Sequence, residues 1–173
     1  MVRRVVTSIN SEGRSIIASD GDAVAVPYEH TPLSGHSLIW TTGAPPDPTV
    51  DGSQLPASYI PGVGGTVAMT VTFAPNRVYA DPNFDFAAAV AESLRNTPGL
   101  AEAFEPDAPG MHATPTVDYV VVLDGPVILE VDNQKTVTLE TGDVVVQNAA
   151  RHAWRVPGDD PATILVVLIG AKV

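Results

Sequence analysis

The 173-residue chain reads as an all-β protein in which two antiparallel sheets close on each other as a barrel, with one or two short helices. Three observations predict this. From residue 117 onward the sequence is a run of short β-branched segments separated by turn signals, Gly125-Pro126, Asp132-Asn133-Gln134 and Thr141-Gly142-Asp143. Six short strands at that spacing describe a double-sheet barrel. The segment Thr66–Phe73, TVAMTVTF, alternates cleanly, so Val67, Met69, Val71 and Phe73 share a face that suits a barrel interior. Convincing helical periodicity is confined to one place, residues 84–96.

Taken in order, residues 2–9 are β-branched and Ser11-Glu12-Gly13 is a tight turn into a strand over 15–18. Ser19-Asp20-Gly21-Asp22 is another turn signal, and 37–42, SLIWTT, is a further strand with Trp40 in a core or at a pocket mouth. Residues 43–65 hold five prolines and five glycines, a long irregular loop of the kind that covers a functional pocket. The helix over 84–96 is capped by Asp81, Asn83 or Asp85 and stopped by Pro98-Gly99, and Phe86, Val90 and Leu94 form one apolar stripe. A second helical turn, LAEAFEP, follows. Then come strands over 117–123, Val127–Val131 and Lys135–Leu139, 144–147, 152–156 and 164–169. The reading is one domain over 1–173, with N-terminal strands, loop and helix over 1–108 and the core motifs over 109–173.

Composition narrows the function. Hydrophobic content of 45% and a mean hydropathy of +0.14 argue against disorder. A formal net charge of −11 argues against nucleic acid, whose phosphates need clustered Lys and Arg, and against anionic membrane surfaces. With no cysteine, any metal site is built from His, carboxylate, amide or water. Arg3 and Arg4 are followed by only two apolar residues before TSINSEG, so no signal-peptide pattern is present, and no apolar run reaches membrane-spanning length. The expectation is a cytoplasmic protein, with no attached DNA-binding segment.

The chemistry concentrates in GMHATPTVDYVVVLDG, residues 110–125, and QNAARHAW, residues 147–154. If the first is a strand, His112, Thr114, Thr116 and Asp118 share a face with Val120 and Val122. An imidazole and a carboxylate on an apolar inner face need a metal ion or an acid–base partner to offset their desolvation. His152, at the start of another strand, supplies a third group. Tyr119 has the opposite parity and is expected to pack under the helix. Arg151 and Arg155 flank His152 with opposite parity and read as surface or rim residues, and His30 and His36 as exposed.

These two segments resemble the two motifs of the cupin superfamily over about 60 residues. In the first motif, counting back from Gly125, Asp118 takes the glutamate position, Thr114 and His112 the two histidine positions, and Pro106 the opening glycine. In the second, His152 takes the histidine, while Gln147, Ala149 and Val156 replace proline, glycine and asparagine. The resemblance implies a double-stranded antiparallel β-helix, the cupin or jelly-roll barrel.

Two mechanisms fit the three groups. In one, His112, Asp118 and His152 hold a divalent ion, Zn, Ni, Mn or Fe, for lyase, dehydratase or isomerase chemistry on a small carbonyl compound, or for Fe(II) dioxygenase chemistry. In the other, no metal binds, Asp118 orients one histidine as a base and the second acts as an acid. A non-catalytic ligand-binding module is the reading from another class. Gln147, Trp154 and Thr114 are the expected substrate contacts, with Val120, Val122 and Trp154 lining an apolar pocket. A homodimer is expected, with the N-terminal strand as the shared edge.

Overall fold

A computed structural model describes residues 2–172. At the N-terminus β1 (Arg3–Ile9) and β2 (Ser15–Asp22) pair antiparallel as a two-stranded ribbon. The expected turn at Ser19-Asp20-Gly21-Asp22 is instead the end of β2. Its residues are held in register opposite β1 from Arg3 to Val6, and the Arg3 guanidinium bonds both oxygens of Asp20. All eight residues of β2 are exposed, while β1 meets the body through Arg4, whose guanidinium donates to Ile39 O at 3.2 Å and lies over the Trp40 ring.

The body contains two sheets. β3 (Val24–Pro27), β4 (Gly35–Thr42), β5 (Thr66–Phe73), β6 (Thr116–Asp124), β9 (Val144–Asn148) and β11 (Ala162–Gly170) form the larger, in the order β3-β4-β5-β11-β6-β9. β7 (Val127–Val131), β8 (Lys135–Leu139) and β10 (His152–Arg155) form the smaller, in the order β10-β7-β8. One apolar cluster joins their inner faces. Leu38, Met69, Val120, Val122, Ile164 and Leu168 come from the larger sheet, Val127, Leu129 and Leu139 from the smaller. The alternation in TVAMTVTF places Val67 and Met69 inside, opposite Leu168 and Val166 of β11.

The strand expected from Gly110 is not continuous. His112 bridges to Phe104 on one side and His152 on the other, extending the smaller sheet, whereas β6 starts at Thr116 in the larger. Pro115 lies at the change, where a residue without an N–H cannot continue a ladder. His112 and Asp118 therefore belong to opposite sheets.

A short helix α1 (Asn76–Tyr79) precedes α2 (Phe86–Asn96), which Asp85 caps by accepting from Ala88 N at 3.0 Å. The apolar stripe of α2 faces solvent: Phe86, Val90 and Leu94 are exposed, while Ala89 and Glu92 are buried. The reason is Glu92. Its carboxylate accepts from Glu29 N at 2.7 Å and His30 N at 2.9 Å, so the polar side of the helix is turned inward. Tyr119 is likewise exposed on the outer face of β6 rather than packed under the helix.

His36 corrects another expectation. β4 begins at Gly35, so His36 shares the inward parity of Leu38 and is buried. Its Nε2 faces the Tyr59 hydroxyl at 2.8 Å, and burial pushes its pKa down to about 4. Tyr59, from the 43–65 loop, is fully buried and its own pKa is pushed up to about 12 by burial. This pair, with Tyr59 N donating to Pro98 O at 2.8 Å, fastens the loop to the barrel and to the segment after α2.

Candidate functional site

His112 and His152 exchange both backbone hydrogen bonds, each 2.9 Å. Directly opposed residues share a face, and the ring centroids stand 4.3 Å apart at 50°. Each imidazole is also fixed by its own strand. His112 Nδ1 donates to Gly110 O at 3.1 Å and His152 Nδ1 to Ala150 O at 2.8 Å. With Nδ1 carrying the proton, Nε2 keeps its lone pair. Burial pushes His112 down to about 4, helped by the neighbouring His152, and burial also lowers His152. Both rings are neutral at pH 7. The orienting contacts are these two carbonyls, the role that the metal-free mechanism expected of Asp118.

Across the barrel, Thr114, Thr116, Asp118 and Gln147 are all buried. Thr114 Oγ1 and Thr116 Oγ1 are 2.7 Å apart, and burial raises the Asp118 pKa against a lowering contribution from a Thr116 hydrogen bond. Either hydroxyl of the Thr114–Thr116 pair can be the donor. Thr114, at the position where the family motif has a second histidine, is thus paired with Thr116.

Asp118 and Gln147 are direct cross-strand partners of β6 and β9. Asp118 Oδ1 and Gln147 Nε2 are both buried with no hydrogen-bond partner. Leaving such atoms unpaired costs about 1–3 kcal/mol each, so both are positioned to meet something other than protein. Among the described residues no three His, Asp or Glu side chains are gathered closely enough to hold a metal ion. The structure brings the two histidines together, and separately Asp118 with Gln147 and the threonines.

Trp154 shares the inner face of β10. Its ring is 5.7 Å from His152 and stacks on Phe73 at 6.2 Å. Val120 and Val122 are core residues with 1% exposure. Two neighbours were missed from the sequence. Phe104 stacks on His112 at 4.3 Å and 23°. Arg151 is more than a rim residue: its Nε and Nη2 bond both oxygens of Glu105 at 2.6 and 2.7 Å, and its Nη1 reaches Asp132 at 2.8 Å. Glu105 and then Asp132 raise the Arg151 pKa, and Arg151 holds Glu105 low. The 43–65 loop does bound a cavity, of about 370 Å³, but its walls are Thr41, Thr66, Val67 and loop residues, not the histidines.

The sequence profile of the family described as "Cupin domain" matches residues 102–168, which include His112, Asp118, Gln147 and His152. That match covers less than half of the chain, and over this segment it supports the resemblance to the cupin superfamily. Over 45 residues, 26% of this chain and 24% of the relative, it is 47% identical to "Phomopsin biosynthesis cluster protein C'" of Diaporthe leptostromiformis. Over 65 residues, 37% of this chain and 36% of the relative, it is 38% identical to "Oryzines biosynthesis cluster protein J" of Aspergillus oryzae. The matched segments thus span about a quarter and about a third of those relatives. Among solved structures, Fe(II)-HppE with the alternative substrate (S)-1-HPP is similar with a TM-score of 0.49 and 14% identity, covering 94% of this chain and 63% of that one.

Proposed function

We propose that this protein is a small-molecule enzyme of the cupin type, acting as a metal-dependent lyase, dehydratase or isomerase on a compound that carries a carbonyl group. The observation that carries the reading is the pairing of two neutral imidazoles, each with Nδ1 tied to a carbonyl and Nε2 left free. That is how proteins prepare histidines for a cation. The donor chemistry of the pair fits a divalent ion, Zn, Ni, Mn or Fe: His112 and His152 would hold it, and Asp118, whose buried Oδ1 is unpartnered, would have to move towards them to become a third ligand. When bound, such an ion supplies Lewis-acid polarisation of an oxygen, or oxygen activation if it is Fe(II). The chain's own part is to keep both rings neutral and to offer the Gln147 amide to a ligand oxygen. The names of the curated relatives refer to biosynthesis clusters, which supports a role in making a small organic compound.

Metal analysis of protein purified without chelator or a nickel column tests this. About one divalent ion per chain, with activity lost on chelation and restored by the ion, is the expected result. Full activity after exhaustive chelation would overturn it. The second reading, a metal-free acid–base isomerase or dehydratase, would then stand, with a backbone carbonyl rather than Asp118 orienting each histidine.

We also propose a homodimer. The β1–β2 ribbon exposes Ile9, Ile16 and Ile17, and two strands alone are marginal in water, so a second copy is the natural support for it. A monomer by light scattering at micromolar concentration would remove this proposal.

A further inference from the structure

Phe104 marks the place where solvent meets the histidine pair. Thr114, Thr116, Asp118, Gln147, His112 and His152 are each 8% exposed or less. Trp154 is half-buried, and Phe104 is 42% exposed. Phe104 is the cross-strand partner of His112, so it stands on the same face, at the open edge of the smaller sheet. One part of its ring covers His112 and the remainder faces solvent.

An aromatic side chain so exposed is ordinarily free to turn, but this one is held. The next residue, Glu105, donates its N–H to Met111 O at 2.9 Å and is gripped by both ends of the Arg151 guanidinium. Arg151 in turn precedes His152 directly and is anchored to Asp132. One cation therefore fixes the strap carrying Phe104 and the strand carrying His152 relative to each other. The result is an aromatic surface held over His112 where the histidine pair comes nearest to solvent, with Trp154 beside His152.

We infer that Phe104 is a specificity-determining contact of this site, and that the ligand it reads carries a flat, unsaturated or aromatic group next to the group that reaches the histidines. This rests on the proposal that the site takes a small carbonyl compound. A flat group gains the offset or edge-to-face contact that rings favour, whereas a saturated ring of the same size does not.

The test compares benzamide with cyclohexanecarboxamide, which share the carboxamide and differ in flatness, by NMR titration of the full chain. Wild type is expected to bind benzamide more tightly. Phe104→Leu should weaken benzamide roughly two- to tenfold while leaving cyclohexanecarboxamide unchanged, and Phe104→Tyr should keep the preference. Equal binding of the two probes by wild type overturns the inference and leaves the small-molecule reading standing, as does an undiminished preference in Phe104→Leu. Binding of neither probe overturns both. If Phe104→Leu fails to fold, Phe104→Trp serves, and loss of the preference in that ring-preserving variant counts against the inference.

Discussion

His112 and His152 are bonded to each other through their backbones in both directions, so the spacing of their side chains is set by sheet geometry rather than by side-chain choice. Replacing either ring leaves this ladder intact. His152→Phe is therefore expected to fold, since ring replaces ring beside Trp154, and to lose bound metal entirely. Circular dichroism and metal analysis of the same sample check both halves. A His152→Phe protein that retains a full complement of ion would show that the pair is not the binding site.

Acid should destabilise the protein through its buried histidines. His36 and His112 are both pushed down to about 4, against about 6.5 unfolded. Between those values the unfolded chain binds more protons, so stability is fully present above about pH 6.5 and is lost as pH falls towards 4. From pH 7 to pH 5 each such group removes about 2 kcal/mol by linkage. Asp118 has the opposite sign, because its raised pKa favours the folded state as pH falls. Urea midpoints at pH 7 and pH 5 should drop in wild type, and drop less in His36→Gln.

Tyr59→Phe removes the hydroxyl facing His36 Nε2 and leaves a buried imidazole nitrogen unpaired. A cost of about 1–3 kcal/mol follows. Because Tyr59 is the anchor of the 43–65 loop, the same variant should be cut within that loop by protease faster than wild type. Unchanged cleavage would mean that the close packing of Gly52 against Trp40 and of Gly170 against Gly62 holds the loop unaided.

The legible parts of the fold were those written in local alternation and turns. Thr66–Phe73, Val127–Val131 and Lys135–Leu139 have the bounds the sequence predicts, because period-two patterning and Asp132-Asn133-Gln134 are local signals. The face of α2 was not legible, since Glu92 binds backbone 62 or 63 residues away. His36 was misread for the same kind of reason: two residues of unpredicted strand decide which way it points. Within the site, parity grouped Thr114, Thr116 and Asp118 correctly, yet it ran His112 through Pro115 as one strand. Phe104 was missed although a signal existed. Phe104 and His112 flank a Pro- and Gly-rich turn in the manner of a hairpin, with Gly110 at φ +84°, and paired residues in a hairpin face the same side.

Charging the tip of the ribbon should separate the copies. Ile9 and Ile17 are 71% and 68% exposed, so Ile9→Lys with Ile17→Lys disturbs no core within a single chain. Wild type is expected to run as a dimer and the double variant as a monomer, with little change in melting temperature at high protein dilution. Identical masses for the two by light scattering would mean that the ribbon does not carry the association.

Asp118 decides between the two chemical readings, because both require the histidines. Its Oδ1 is buried and unpartnered, and burial raises its pKa. Asp118→Asn preserves size but removes the charge that a cation needs. If the carboxylate is a ligand, metal content and activity fall together, and excess ion restores part of both. If it acts instead as a group that binds the substrate or moves a proton, activity falls while metal content stays the same. We expect the parallel loss. The measurement is metal per chain against initial rate for wild type and Asp118→Asn, each after chelation and after reloading, and an activity loss at constant metal content would move Asp118 from ligand to substrate contact beside Gln147.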